Sequence, residues 1–427
     1  MSGFEEPVSR RGLLAGSAVA ASAVALASCA KGDEPGQASA DASADASRAA
    51  QAGDAGSTGP ENREETMGGD IVAFDGKHQA GIQTPVQAHV ELVGFNLKKD
   101  TTARGAAALM RLWTEDARRL CTGENPLGSL EPELSTTPAN LTVTCGWGEG
   151  FFDTVDVAKP SWLRDIQAFD HDDLRPEWGQ TDIVLQICSD DPFTAAFVLR
   201  HMTRAGKDYA DVAWIQQGFS HAYGSAPKGV TPRNLFGQKD GTVNPRSEED
   251  FNEQVWIEDG PFAGGSAMVV RRIHMNLDTW EQLDRAAREN STGRTLDTGA
   301  PIGAKDEFDP VDLDARNEFG LKAIDENSHV ARAHPPAEHP EQKLLRRPYN
   351  YNLPPTPETT QRGELSNAGL IFICYQKDPT TQFEPIQARL DEADRLNEWI
   401  THIGSAVYYM PAGTEGETFW GESLIRS

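Results

Sequence analysis

An α+β fold made of two similar halves, each an antiparallel sheet carrying its helices on one face, is predicted by three features of this 427-residue chain. Between residues 86 and 218 the hydrophobic period switches in the order β-α-β-β-α-β. A looser version of that order recurs between residues 267 and 410. The first seventy residues have a composition that builds no core, so the fold belongs to the residues beyond them.

Residues 1–29 read as an export address. Ser9-Arg10-Arg11-Gly12-Leu13-Leu14 is a twin-arginine pattern, and the Ala/Val/Leu/Ser run to Leu26 is uncharged and too weakly apolar for a membrane span. Leu26-Ala27-Ser28-Cys29 carries the small residues and single Cys of a lipoprotein processing site, which would make Cys29 the acylated first residue of the mature protein. The expected location is cell-surface or periplasmic, reached by the twin-arginine pathway, with the lipid at Cys29 as the one membrane attachment.

Residues 30–70 hold no aromatic residue and nine acids against three bases. Such a segment buries too little to offset its ordering entropy and reads as a tether. The net charge of −26 leaves −20 on the remainder, which argues against a nucleic-acid partner. Two domains are expected after the tether, at 71–235 and 236–427.

In the first, alternation over Val86–Val93 marks a strand and the Ala/Leu/Met/Arg-rich stretch Thr102–Leu120 a helix. Strands over Asn140–Trp147 and Asp182–Cys188, a helix over Pro192–Thr203 and a strand over Val212–Gly218 complete a ferredoxin-like unit. In the second domain, strands are expected at Ala267–Asn276, Gly369–Tyr375 and Ala406–Met410, and helices at Leu277–Arg288 and Gln387–Ile400. About eighty residues without a pattern separate Arg288 from Gly369. A segment of that length inside a domain is usually functional, and this one is expected to wall a site. Cys121, Cys145, Cys188 and Cys374 form no C-x-x-C, and the last three lie in apolar strand patterns, so free buried thiols are expected.

Chemistry concentrates in three places. Gly237-Gln238-Lys239-Asp240-Gly241 holds one carboxylate between two backbone positions that tolerate positive φ. His329, between Ser328 and Val330, comes 89 residues after Asp240, and Arg346-Arg347 begins 17 residues beyond it. Adjacent strand residues face opposite ways, so only one of the two arginines can serve a site. Of the other histidines, His78 is the next candidate, while His221, His274 and His402 show no partner pattern.

With Lys77-His78-Gln79-Ala80-Gly81-Ile82, Gly146-Trp147-Gly148, Val269-Val270-Arg271-Arg272-Ile273, Gly299-Ala300-Pro301-Ile302-Gly303 and Leu345-Arg346-Arg347, these motifs resemble the dye-decolourising haem peroxidases over residues 70–420. The resemblance is to their exported, deferrochelatase-like subgroup. It implies the dimeric α+β barrel superfamily and b-type haem (iron protoporphyrin IX) held mainly by the second domain. His329 would then be the proximal iron ligand, supported by Asp391, Glu392 or Asp394. Asp240 would be the distal acid–base residue and Arg346, or in its place Arg347, the distal arginine. Gly241, Thr242, Val243 and the turn His334-Pro335-Pro336 would lie close to the haem. The chain departs from the family in having Ala331 two positions after the ligand histidine, with Arg332 one step on, and Pro348 after the arginine pair.

The implied reaction is reduction of hydrogen peroxide through a ferryl intermediate, with dyes or other organic reductants supplying electrons. Trp256, Trp280, Tyr351, Tyr375 or Tyr409 would relay them for reductants too bulky to enter. A free aspartic acid titrates near pH ~4, so a base of this type works in acid where imidazole is protonated, and an acidic optimum is expected. The alternatives are a deferrochelatase or ferrous-iron oxidase beside an iron permease, and a non-catalytic haem carrier. The oligomeric state is open between one copy and a homo-oligomer.

Overall fold

Among the described residues nine strands, most of them rich in β-branched and aromatic residues, pair to close a barrel. The protein is represented by a computed structural model that describes residues 67–227 and 229–425, so the twin-arginine pattern, Cys29 and nearly all of the tether lie outside the described residues. The first half runs β1 (His89–Leu97), α1 (Ala103–Cys121), β2 (Thr142–Trp147), α2 (Glu149–Val155), β3 (Ile183–Ser189), α3 (Pro192–Gly206) and β4 (Ala210–Phe219). α4 (Glu248–Gln254) leads into the second half: β5 (Ser266–Met275), α5 (Leu277–Trp280), α6 (Arg285–Thr292), α7 (His329–Ala333), β6 (Leu345–Arg346), β7 (Tyr349–Leu353), α8 (Pro357–Gln361), β8 (Asn367–Gln376), α9 (Phe383–Ala393), β9 (Ile400–Met410) and α10 (Glu422–Ile425).

All pairings between these strands are antiparallel, in the order β5-β9-β2-β3-β1-β4-β7-β8, and β8 returns to β5. The two halves are joined at Trp147↔Tyr409 and Phe219↔Asn350. A closed sheet has no edge left open to other chains. Period-two alternation then sorts side chains between two cores. Met268, Val270, Tyr349, Ile371, Ile373, Tyr375 and Tyr408 fill the barrel interior. Val93, Phe95, Val143, Leu185, Ile187, Val269 and Val407 point outward under the helices.

Helix cover is where the halves differ. α1 starts at the Thr102 cap and α3 at Asp191, whose side chain accepts from Phe193 and Thr194 N–H; together these long helices cover the outer face of the first half. The second half has only short helices there. The helix expected over 277–288 is broken between Trp280 and Arg285. The helix expected to reach Ile400 ends at Ala393, because Asp394 leaves the helical region (φ −66°, ψ 128°) to cap a 3-10 turn, and β9 begins at Ile400. The long unpatterned segment is not without structure: it supplies α7, β6 and β7, and β7 is the strand that closes the barrel. Among the described residues no helix is long and apolar enough to cross a membrane.

Candidate active site

Short helix cover leaves a cavity of about 740 Å³ on the outer face of β5, β8 and β9. Its apolar floor is Ile273, Met275, Leu370, Phe372 and Ile400, and Phe383, Ile386 and Leu390 of α9 add a wall. That volume falls within the range of cofactor sites, and a mainly apolar lining with few convergent polar groups is their usual chemistry.

The imidazole enters from α7. Ser328 caps this five-residue helix through Ala331 N–H, and Pro335 stops it, which fixes His329 in its first turn. His329 Nδ1 donates to Asp394 Oδ2 at 2.6 Å, and Asp394 Oδ1 accepts from Leu396 N–H at 3.0 Å. The cap that ended α9 therefore also orients the imidazole. Burial opposes a charge on His329, but the Asp394 carboxylate outweighs it and raises the imidazole pKa above its ordinary value. With Nδ1 engaged, Nε2 is the nitrogen left for a metal, at a side chain 30 % exposed on the cavity.

Of the three candidate acids, only Asp394 meets His329. Asp391 accepts from His171 and from the N–H groups of Asp170 and His171, and Glu392 pairs with Arg332. Arg332 also donates to Arg389 O and is absent from the cavity lining.

The carboxylate comes from the loop before α4. Gly237 (φ 83°) and Gly241 (φ 126°) both occupy the positive-φ region, and Asp240 N–H donates to Pro232 O at 2.9 Å. Asn350 of β7 ties the loop to the barrel by accepting from Leu235 N–H and donating to Arg233 O. Arg346 Nη1 lies 3.5 Å from Asp240 Oδ1, an atom that is buried and makes no hydrogen bond among the described residues. Asn244 clamps the arginine by its backbone, donating to Arg346 O at 2.6 Å and accepting from Arg346 N–H at 3.0 Å.

Alternation decides between the two arginines. Arg346 faces the cavity, whereas Arg347 points into the barrel, fully buried, and donates to Thr84 O, Pro85 O and Gln87 Oε1. Thr242, Val243, His334 and Pro335 line the cavity; Gly241 and Pro336 are next to lining residues but do not line it.

His78 is elsewhere, stacked on Trp256 at 3.8 Å with Nδ1 donating to Gly264 O. Trp256, Trp280, Tyr351, Tyr375 and Tyr409 are all buried. Trp280 stacks on Phe236 and donates to its carbonyl, which steadies the Asp240 loop. The four described cysteines are free and buried.

Three further groups were not assigned to the site from the sequence. Glu307 is buried under the Asp240 loop and accepts from Thr231, from Lys239 at 2.5 Å and from Thr242 at 3.0 Å. Burial raises its pKa, but those donors outweigh it and hold the carboxyl below its ordinary value. Arg294 lines the cavity; burial, and then the charge of Arg346, lower its pKa. Behind His329, Asp172 from the first half pairs with fully buried Arg271, and His402 Nδ1 lies 3.5 Å from Asp172 Oδ1. Burial, and then the charge of Arg271, push His402 well below its ordinary value.

An imidazole with a fixed tautomer, an apolar floor and a carboxylate–guanidinium pair with an orphaned buried oxygen fit a haem. Similarity to known proteins agrees. The N-terminal Dyp-type peroxidase model matches residues 79–220 and the C-terminal one residues 231–415. The chain is 38% identical to a dye-decolorizing peroxidase of Thermobifida fusca over 81% of this chain and 83% of that one. It is 32% identical to the deferrochelatase of Escherichia coli over 87% and 90%. Among solved structures, the DyP-type peroxidase of Cellulomonas bogoriensis aligns with a TM-score of 0.80 and 42% identity, covering 85% of this chain and 100% of that one. An oxyferrous complex of DtpA from Streptomyces lividans aligns at 0.79 and 35%, covering 84% and 98%.

Proposed function

The chain belongs to the Dyp-type peroxidase family of haem-dependent enzymes that act on hydrogen peroxide and a reductant, and we propose how its own residues divide that work. His329 would hold the haem iron through Nε2, with Asp394 fixing its tautomer and lending it anionic character. Thr242, Val243, His334 and Pro335, which line the cavity, would border the cofactor. Membership of this haem-dependent family, with a mainly apolar cavity and one imidazole, supports haem b as the cofactor. When bound, the haem supplies the redox centre that takes up two oxidising equivalents from peroxide and returns them to reductants.

Asp240 takes the proton of the incoming peroxide and delivers it to the oxygen that departs as water. Arg346 stabilises the negative charge that develops on that oxygen as the O–O bond breaks. The observation that carries this reading is the Asp240–Arg346 pair at 3.5 Å, with its unbonded Oδ1, in the same cavity as His329. A visible spectrum of purified protein, before and after one equivalent of peroxide, tests it. In Asp240→Asn the Soret band is expected to persist while its first change after peroxide slows roughly 10²- to 10⁴-fold; an unchanged rate refutes the assignment.

A second reading, iron release from haem or ferrous-iron oxidation beside an iron permease, is favoured by the likeness to a protein named deferrochelatase. Iron-free porphyrin accumulating without peroxide would support iron release and its absence beside peroxide-dependent dye turnover would exclude it, while ferrous-iron oxidation is tested by ferric-iron formation from added ferrous iron. For location, Arg10-Arg11 and the Leu26-Ala27-Ser28-Cys29 site support twin-arginine export and a lipid anchor. Mass spectrometry of the mature N-terminus tests both.

A further inference from the structure

Asp240 is poorly held by its own carboxylate. Among the described residues Oδ1 makes no hydrogen bond, and the approaches of Asn234 Nδ2 to Oδ2 and of Arg346 Nη1 to Oδ1 are both 3.5 Å, near the limit of useful contact. It also sits beside Gly241 and three residues after Gly237, both at positive φ, where the backbone is least constrained by side-chain sterics. Asn350 and Trp280 hold the loop at residues 233–236, ahead of these glycines, so a further group must fix where that carboxylate points.

Glu307 is placed to do so. Its buried carboxylate accepts from Thr231 and Lys239 on the approach to Asp240 and from Thr242 beyond it, so three donors from both sides of one residue converge on one group. The Lys239 ion pair is itself largely shielded, with side chains 14 % and 8 % exposed, so it is weakly screened by water. Glu307 is in turn anchored: Arg294 Nη1 donates to Glu307 O at 2.9 Å and to Gly299 O at 2.7 Å. Arg346 is held separately, through its backbone, by Asn244. The geometry points to Glu307 as the positioning residue of the peroxide site: it staples the loop on both sides of Asp240 and so sets the carboxylate's distance from Arg346. This rests on the acid–base reading of Asp240.

The test is a double-mutant cycle on the haem-loaded protein, combining Glu307→Ala and Glu307→Gln with Asp240→Asn. Two rates are measured by rapid mixing: the first Soret change with peroxide, and association of hydrogen cyanide, which must also lose a proton to a distal base. In Glu307→Ala both rates are expected to fall roughly 10- to 10²-fold, the scale of a small misplacement of a catalytic group. Glu307→Gln, which keeps an acceptor for the two hydroxyls but loses the charge facing Lys239, is expected to lie between Ala and wild type. It also carries the test if the Ala variant does not fold. In the Asp240→Asn background either change at Glu307 is expected to alter the rates less than about twofold, because a residue acting through Asp240 has nothing left to position. A slow Asp240→Asn with a further full loss from Glu307 overturns the role of Glu307 alone. An unchanged Asp240→Asn overturns the acid–base reading and this proposal with it.

Discussion

Replacing Asp394 with asparagine is expected to harm haem binding more than replacing it with alanine, and the reason lies in two hydrogen bonds. Asp394 accepts twice, from His329 Nδ1 at 2.6 Å and from Leu396 N–H at 3.0 Å, with a side chain 1 % exposed. Asparagine has one acceptor and one donor. Whichever way the amide turns, its NH₂ faces an N–H: either that of Leu396 or that of His329. The second conflict is relieved only by moving the imidazole proton to Nε2, the atom the iron requires. An unmet buried donor costs about 1–3 kcal/mol, which converts to a roughly 5- to 150-fold weaker haem affinity. That range matches the ~10- to 100-fold loss usual when the partner of a metal-bound histidine is removed. Alanine leaves space for a water that accepts from Nδ1, so its loss is expected to be smaller. Titration of haem-free protein with haemin at the Soret band gives the affinity. Spectroelectrochemistry gives the ferric/ferrous midpoint, which is expected to rise in both variants as the imidazole loses anionic character. An Asp394→Asn variant with wild-type affinity and midpoint would refute the reasoning.

Three further outcomes are expected. Arg346→Met should keep its thermal midpoint and lose roughly 10²- to 10³-fold in the peroxide reaction, whereas Arg347→Met, which leaves the buried Gln87 Oε1 without its donor and releases Thr84 O and Pro85 O, should lose stability by about 1–3 kcal/mol; calorimetry beside stopped-flow separates them. Asp172→Asn leaves Arg271 buried without its carboxylate and should cost about 3–5 kcal/mol in urea unfolding, and a loss below about 1 kcal/mol would show that water reaches the guanidinium. Glu307 has a depressed carboxyl pKa in the folded protein, so its contribution is present above the value of an unfolded glutamate, about 4.3, and is lost as pH falls through the folded value. Urea midpoints measured down a pH series should therefore fall more steeply for wild type than for Glu307→Gln on the acid side of about pH 4, and parallel curves would contradict the shift.

Much of the fold was legible in the chain because strands with period-two alternation and long capped helices leave local marks. β1 to β5 and β8, with α1 and α3, lie within a few residues of where the pattern placed them, while β9 ends where expected but starts at Ile400, ahead of the expected Ala406. β7 was not legible: Tyr-Asn-Tyr-Asn-Leu is short and its fifth residue is followed by Pro354-Pro355, and only pairing with β8 and β4 makes it a strand. The overlong helix at 387–400 was misread because its apolar spacing continues past Asp394. The carboxylate's use as a cap, with His329 as a second partner, ended it.

What the sequence by itself determined is the set of groups whose role depends on neighbours in the chain: the glycines that free the backbone around Asp240, and two arginines obliged to face opposite ways. The tertiary structure alone decided which arginine meets Asp240, which of three acids holds His329, and that Glu307 lies beneath the loop. Those choices come from strand register and from a segment that crosses between elements, and neither leaves a periodic trace, because contacts between residues tens of positions apart are set by the closed sheet rather than by the residues between them.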